Sequence, residues 1–378
     1  MRPLSRKIAN IAPSATLSVA AQAKALQAQG IDVISLSLGE PDFDTPAHIT
    51  EAAIAALREG KTHYAPGRGI PELLSAITEK INRENNIPCT SDQVIVTSGA
   101  KSAIHEICEA VLNPGDEAII LDPSWVSYEP CVQIAGGKPV HVPLAGANFQ
   151  PDERLAEAIT PKTRMIITNS PSNPSGAVLE RDSLKMIADL CIDHDLIAVS
   201  DEIYEKLIYG KVHHSLGAFP DMSERTITVN GFSKAYAMTG WRVGYAVAPA
   251  PILKQMDTFQ QHTVSQATTF AMYGAVAALT GSQDCVTEMR NEFEQRRNSV
   301  LAGLANIGLE VCPADGAFYA FINVQDDDMR VTSEWLEKGR VAVTPGFAFN
   351  TPGWVRMSYA ASQEQLDAAI ERISALYT

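Results

Sequence analysis

The sequence predicts an α/β protein: a large domain with a mostly parallel seven-stranded sheet covered by helices, and a small α+β domain formed by both ends of the chain. Three observations carry this expectation. Seven short, β-branched apolar runs recur between residues 93 and 249. Longer segments with helical periodicity separate several of them. Beyond about residue 250 the alternation stops, and long helices with charged faces take over.

Taken in order, the first 45 residues hold a helical segment at about 15–29 and then the extended ISLSLGEPDFD, both expected to pack on the small domain. The seven runs come next: QVIVTSG (93–99), EAIILDPS (117–124), KPVHVPL (138–144), RMIITNSPS (164–172), LIAVSDE (196–202), RTITVNGFS (225–233) and VGYAVAP (243–249). Such near-continuous apolar runs suit strands buried on both faces, and helical segments such as 100–112 and 181–195 would cover them. The last part gives a helix at 283–306, the strand-like FYAFINV, a helix near 332–339, the strand-like VRMSYA and a helix at 362–377. The large domain is therefore expected over 46–281, and the small one over 1–45 with 282–378.

The charge balance narrows the function. With 30 basic and 44 acidic residues the net charge is −14, which disfavours nucleic acid and anionic membranes as partners. A small anionic substrate stays possible, because a buried site can hold its own positive charge. No apolar run approaches the roughly 18 residues of a spanning helix. The opening MRPLSRKIANIAPSAT lacks a secretory apolar core, so a cytoplasmic location is expected. The six cysteines are scattered without a C-x-x-C pair, as expected of reduced thiols, and the histidines lack metal-ligand spacing.

In open parallel sheets, ligands bind beyond the carboxyl ends of the strands. Following the runs outward gives Gly99-Ala100-Lys101, Ser124-Trp125, Asn173-Pro174, Asp201-Glu202-Ile203-Tyr204 and Ser233-Lys234. Five strands thus deliver a glycine turn, an aromatic, an amide, a carboxylate and a lysine to one edge. Each alone has an ordinary use: Gly99 as a turn glycine, Trp125 in a core, Asn173-Pro174 as a turn, Asp201 as a cap, Lys234 on the surface. Together they describe a site.

The set also has a chemistry. A lysine at a strand end can condense with an aldehyde. Ser233 and Arg242 can close on a phosphate, the arginine bidentately, and the helix opening after Gly99 offers free N–H groups as a second anchor. Asp201 can keep a pyridine nitrogen protonated, so that the ring draws electrons. Tyr204 and Asn173 can hydrogen-bond a ring oxygen, and Trp125 can stack on the ring. A phosphorylated pyridine aldehyde satisfies all of these at once.

The chain resembles the class I aminotransferases, of the fold-type I group of pyridoxal-phosphate enzymes, over essentially its full length, and the aspartate aminotransferase branch most. The matching segments are SLSLGEPDFDTP (35–46), YAPGRGIPEL (64–73), TSGAK (97–101), SWVSY (124–128), NSPSNPSG (169–176), SDEIYE (200–205), SKAYAMTGWRVGY (233–245), GAFYAF (316–321) and VRMSYA (355–360). The lysine motif is highly specific, whereas TSGAK alone is weak. The resemblance implies pyridoxal 5'-phosphate as cofactor and Lys234 as the residue that binds it covalently and then shuttles a proton. It implies Asp201 at the ring nitrogen, and Tyr204 with Asn173 at the ring hydroxyl. Ser233, Arg242 and the Gly99–Lys101 turn would hold the phosphate, with Trp125 stacked. Arg356 would bind the substrate α-carboxylate, helped by Gly39 and Asn173. Tyr64 would reach the phosphate of a neighbouring subunit, which implies a homodimer with shared sites.

The implied reaction is ping-pong transfer from an L-amino acid to a 2-keto acid, aspartate and 2-oxoglutarate being the expected pair. A dicarboxylate needs a second cation, for which Lys101 is the candidate and Arg68 a weaker one. Relatives often carry a lysine just before the Pro-Ser-Ala-Thr segment; here that position is Ala12. Aromatic, prephenate-like or broader donors stay open, and so does a C–S β-lyase on the same fold. A regulator built on such a domain would need a basic DNA-binding segment, for which neither terminus has room or charge.

Overall fold

The apolar runs pair into one sheet in the computed structural model, which describes residues 4–9 and 11–377. Its order is Val94–Thr97, Gly244–Val247, Thr226–Gly231, Ile197–Asp201, Thr163–Asn169, Glu117–Asp122, Lys138–Pro143. All pairings are parallel except those of Gly244–Val247, which runs against both neighbours. The interior strands are apolar on both sides because both sides are covered. Along Glu117–Asp122, Ala118 and Ile120 enter the core under helices Ala100–Val111 and Ala250–Thr263. Ile119 and Leu121 enter the opposite core, under helix Arg181–Asp193. Burying each large aliphatic side chain contributes about 1.5–3 kcal/mol. The edge strand Lys138–Pro143, covered less, buries only Val142 fully. No helix among the described residues is long and apolar enough to cross a membrane.

A second, antiparallel sheet orders Thr344–Pro345, Trp354–Ser358, Tyr319–Asn323 and Glu310–Val311. Helices Asp284–Asn306 and Gln363–Ser374 cover it through Phe293, Val300, Leu304, Leu366 and Ile373. Helix Ala15–Gln27 buries Ala20 and Ala23, and the strand Ile34–Ser35 pairs in parallel with Val341–Ala342. The amino-terminal segment therefore docks beside this second sheet.

The structure differs from the sequence-based expectation in three places. The extended ISLSLGEPDFD contributes only a two-residue strand; the rest of it is loop, with Leu38, Gly39 and Glu40 at a cavity. Helix Ala15–Gln27 stops short of residue 29, at a turn where Gly30 takes φ +80. The helix expected near 332–339 is Asp328–Glu337, because the Asp327 carboxylate caps it by accepting from the N–H groups of Met329 and Arg330.

Candidate active site

Strand register sets the site. Asn169 lies level with Asp201, Asp201 with Val229, and Gly231 with Gly244. The reversed strand starts at Gly244, so its beginning brings Arg242 to the edge where the other strands end. A cavity of about 340 Å³ opens over that edge. The residues singled out from sequence for the cofactor and the α-carboxylate line it, except Gly99, which lies behind Arg242, and Tyr64, which stands apart and is 90% exposed.

Lys234 follows the buried strand Thr226–Gly231, and its ammonium donates to the Gly39 carbonyl at 2.5 Å. Burial lowers its pKa to about 8, against the opposing pull of Glu40. An amine so tuned is a usable nucleophile and base near neutrality. Asp201 closes the next strand and is buried. Its carboxylate accepts from the Tyr128 hydroxyl at 2.7 Å and the Ile203 N–H at 3.2 Å. Burial still outweighs those bonds and pushes its pKa up to about 6. A cationic ring nitrogen beside it would reverse that penalty.

Gly99 takes φ +88, and a Cβ there would lie 2.5 Å from Arg242 Nη2, so glycine lets the guanidinium close on the turn. Arg242 donates to the carbonyls of Thr239 at 2.8 Å and Ser98 at 3.3 Å. Ala100 and Lys101 open a twelve-residue helix whose first N–H groups have no intrahelical acceptor. Ser233 is buried beside them at the cavity wall. Lys101 extends over Trp125, its ammonium 5.0 Å from the ring centroid.

Arg356 comes from the second sheet and is 2% exposed. It donates to Asn173 Oδ1 at 2.8 Å and to the Ser37 carbonyl, and lies 4.6 Å from the Tyr319 ring and 4.9 Å from Phe349. Its Nε has no partner among the described residues. Tyr204 and Tyr319 share a hydroxyl hydrogen bond of 2.8 Å at the same wall. Four cations (Lys101, Lys234, Arg242, Arg356) face two carboxylates (Glu40, Asp201) across the cavity, a positive site in a chain of net charge −14.

Some predicted residues lie elsewhere. Arg68 binds the Ser91 and Asp92 carbonyls and lines no part of the cavity. Ala12 is exposed ahead of helix Ala15–Gln27, while Thr16 and Leu17 of that helix reach the cavity. Residues that sequence reasoning passed over include Tyr128, Tyr319, Asn169 and Glu40. Tyr128 had a signal, standing three residues after Trp125 where a helical turn brings side chains to one face. Thr16 and Leu17 had none, because only the docking of the first helix brings them in.

An edge of this kind, with a nucleophilic amine between a buried carboxylate and a buried arginine, defines an α/β enzyme built for amine–carbonyl chemistry. The family model for aminotransferase class I and II matches residues 31–373, and the chain belongs to that family. It is 45% identical to the aspartate/prephenate aminotransferase of Thermus thermophilus, over 99% of this chain and 98% of that one. It is 43% identical to the aspartate aminotransferase of Bacillus subtilis, over 98% of both. Among solved structures, Thermus thermophilus aspartate aminotransferase with maleate superposes at a TM-score of 0.97, with 44% identity and full coverage of both chains. The aromatic aminotransferase of Pyrococcus horikoshii gives 0.90 at 43% identity, covering 94% of this chain and 98% of that one.

Proposed function

We propose that the protein is a pyridoxal 5'-phosphate-dependent aminotransferase that moves the amino group of L-aspartate to 2-oxoglutarate in a ping-pong cycle. The observation that carries this reading is Lys234, an amine of lowered basicity at the floor of a positive cavity, with Asp201 and Arg356 on its walls. The residues fit the cofactor: the Gly99 turn leaves room for Arg242, the open helix start and Ser233 suit a phosphate, and Asp201 suits a ring nitrogen. Tyr204 and Asn173 would bond the ring oxygen, with Trp125 on its face. Bound there, the cofactor supplies an aldehyde that condenses with amines and a ring that draws electrons.

The chain's own groups do the rest. Arg356 holds the substrate α-carboxylate in its fork, with Asn173 and Gly39 beside it. Lys234, at the same cavity, would take the proton from the substrate Cα and return it. Lys101 supplies the second cation for a dicarboxylate, and the names of the relatives favour aspartate. A second reading, toward aromatic or prephenate-like donors, draws on Ala12, which is exposed and outside the cavity. Tyr64, 90% exposed, would meet the phosphate in a partner subunit of a homodimer.

The test is half-reaction spectroscopy with aspartate, glutamate and aromatic donors, following loss of the cofactor's aldehyde-derived absorption. Aspartate should convert it fastest. Lys234→Ala should lack the band and lose turnover by at least about 10⁴-fold. Normal turnover in that variant would sink the proposal, and release of pyruvate and ammonia without a keto acid would replace it with a lyase.

A further inference from the structure

Asp201 ends a strand, but residues 202–207 form neither helix nor strand. Main-chain pairing alone therefore does not hold Tyr204 in place. The turn is two-sided. Asp201 and Tyr204 face the cavity, while Glu202 and Glu205 are buried away from it, with side chains 1% and 8% exposed.

Those two carboxylates meet a buried polar network. Glu202 accepts from Ser200 Oγ at 2.9 Å, Ser215 Oγ at 2.6 Å and Asn85 Nδ2 at 3.1 Å, and pairs with His213 Nε2 at 2.9 Å. Glu205 accepts from Asn85 Nδ2 at 2.7 Å and is ion-paired with Lys80. Lys80 also donates to Asn85 Oδ1 at 2.6 Å. Lys80 ends helix Pro71–Lys80 and Asn85 ends the single π turn Ile81–Asn85, so the anchor comes from a distant part of the chain. Lys80 and Glu205 also line a crevice with Asn230, Gly231 and Phe232, the residues that run into Ser233 and Lys234.

A metal is not what this cluster holds together. Glu202, Glu205 and His213 offer ligand atoms within 4.8 Å of one another, but Lys80 already places a cation on Glu205. Burial works against both charged partners, yet Lys80 keeps the pKa of Glu205 down at about 2, and Glu202 raises that of His213. Glu205 thus faces the Lys80 ammonium, and Glu202 the His213 ring. Buried ion pairs contribute little net stability compared with apolar packing, whereas breaking one is costly. What such a network supplies is fixed geometry.

We propose that this network, keyed by the Lys80–Glu205 pair, is a positioning device that fixes Asp201 and Tyr204 for the cofactor ring from behind. The proposal rests on the pyridoxal-phosphate reading above. Glu202, Glu205, Lys80, Asn85 and His213 touch no substrate; they act through the turn.

The test uses the full chain with pyridoxal 5'-phosphate as probe, in Glu205→Gln, Lys80→Met and the double variant. Three quantities are read: the dissociation constant of the cofactor from folded protein, the visible circular dichroism of the bound cofactor, and kcat against KM. Glu205→Gln should weaken cofactor binding by about tenfold or more, flatten the dichroic band and lower kcat, with KM for the amino donor within about twofold. The double variant, free of the unpaired charge, should regain thermal stability but not the affinity or the band. Wild-type affinity and dichroism in any folded variant, or their recovery along with stability in the double variant, would overturn the proposal. If the single variants fail to fold, the double variant decides it. Failure of the wild-type chain to bind the cofactor would instead refute the underlying functional reading.

Discussion

The two sheets bring charge to one cavity under opposite conditions. At the edge of the large sheet, burial pushes Asp201 up to about 6 and Lys234 down to about 8, so the charged form of each is disfavoured without being lost at neutral pH. On the small sheet, burial also lowers the pKa of Arg356, but a guanidinium stays charged, and this one already has three oxygen partners and two aromatic neighbours. The large-sheet groups are strained in charge and would be relieved by a ligand carrying a cationic ring nitrogen and an aldehyde. The small-sheet arginine already bonds through both Nη atoms, and its Nε, unpartnered among the described residues, is left for a carboxylate. Cofactor binding should therefore change the protein's energetics more than substrate binding does.

The most damaging way to test that contrast is Arg356→Ala. It should raise KM for amino donors by about 10²–10³-fold, the cost of removing one partner of a buried charged pair, while the cofactor's absorption stays intact. Arg356→Lys should fall between, since an ammonium keeps the charge but loses the planar fork. An unchanged KM, or loss of the cofactor band with it, would erase the distinction between the two sheets.

The large-sheet half of this contrast was legible in the sequence and the small-sheet half was not. Asp201, Lys234 and the Gly99 turn each follow a buried apolar run, and a parallel sheet sends all such ends to one edge. Arg242 reached the same edge by a route that rule does not describe, through a reversed strand. Arg356 lies mid-strand, opposite Phe321, where nothing local separates it from an exposed strand arginine; only the family resemblance singled it out. Tyr319 and Thr16 reach the cavity through the docking of the second sheet and the first helix. Nothing local marks Glu202 and Glu205 as buried, because Lys80 and Asn85, which bond them, lie over a hundred residues away.

Asp201→Asn sharpens the contrast with a smaller effect. In the folded protein Asp201 titrates near 6 instead of 3.8, so between those values the folded state binds more protons than the unfolded one. The apoprotein should therefore lose stability as pH rises through that window, by up to about 3 kcal/mol. Asp201→Asn should flatten this slope and stabilise the apoprotein at pH 7 while weakening cofactor binding. Lys234 gives the opposite slope. Titrating near 8 instead of 10.5, it binds fewer protons when folded, and stability should rise with pH across that range. Thermal melts of the apoprotein across pH check both. If the Asp201→Asn apoprotein proves less stable than wild type at pH 7, Asp201 is not strained.

The smallest effect concerns the distal end of the substrate, where neither sheet supplies a committed cation. Lys101 is the one candidate at the wall, and its ammonium rests over Trp125. Ala12 lies exposed, four residues ahead of Thr16, which lines the cavity. A lysine there would add its charge at an exposed position, in water, where such a pairing contributes about 0.2–1 kcal/mol. Ala12→Lys should raise kcat/KM for aspartate by about two- to fivefold, fading with added salt, and leave aromatic donors unchanged. Lys101→Ala should act in the opposite direction and more strongly, because its charge lies deeper at the wall. If Ala12→Lys does nothing for aspartate and Lys101→Ala costs nothing, the distal pocket does not recognise a carboxylate. The aromatic reading would then displace the dicarboxylate one, with Lys234, Asp201 and Arg356 keeping their roles.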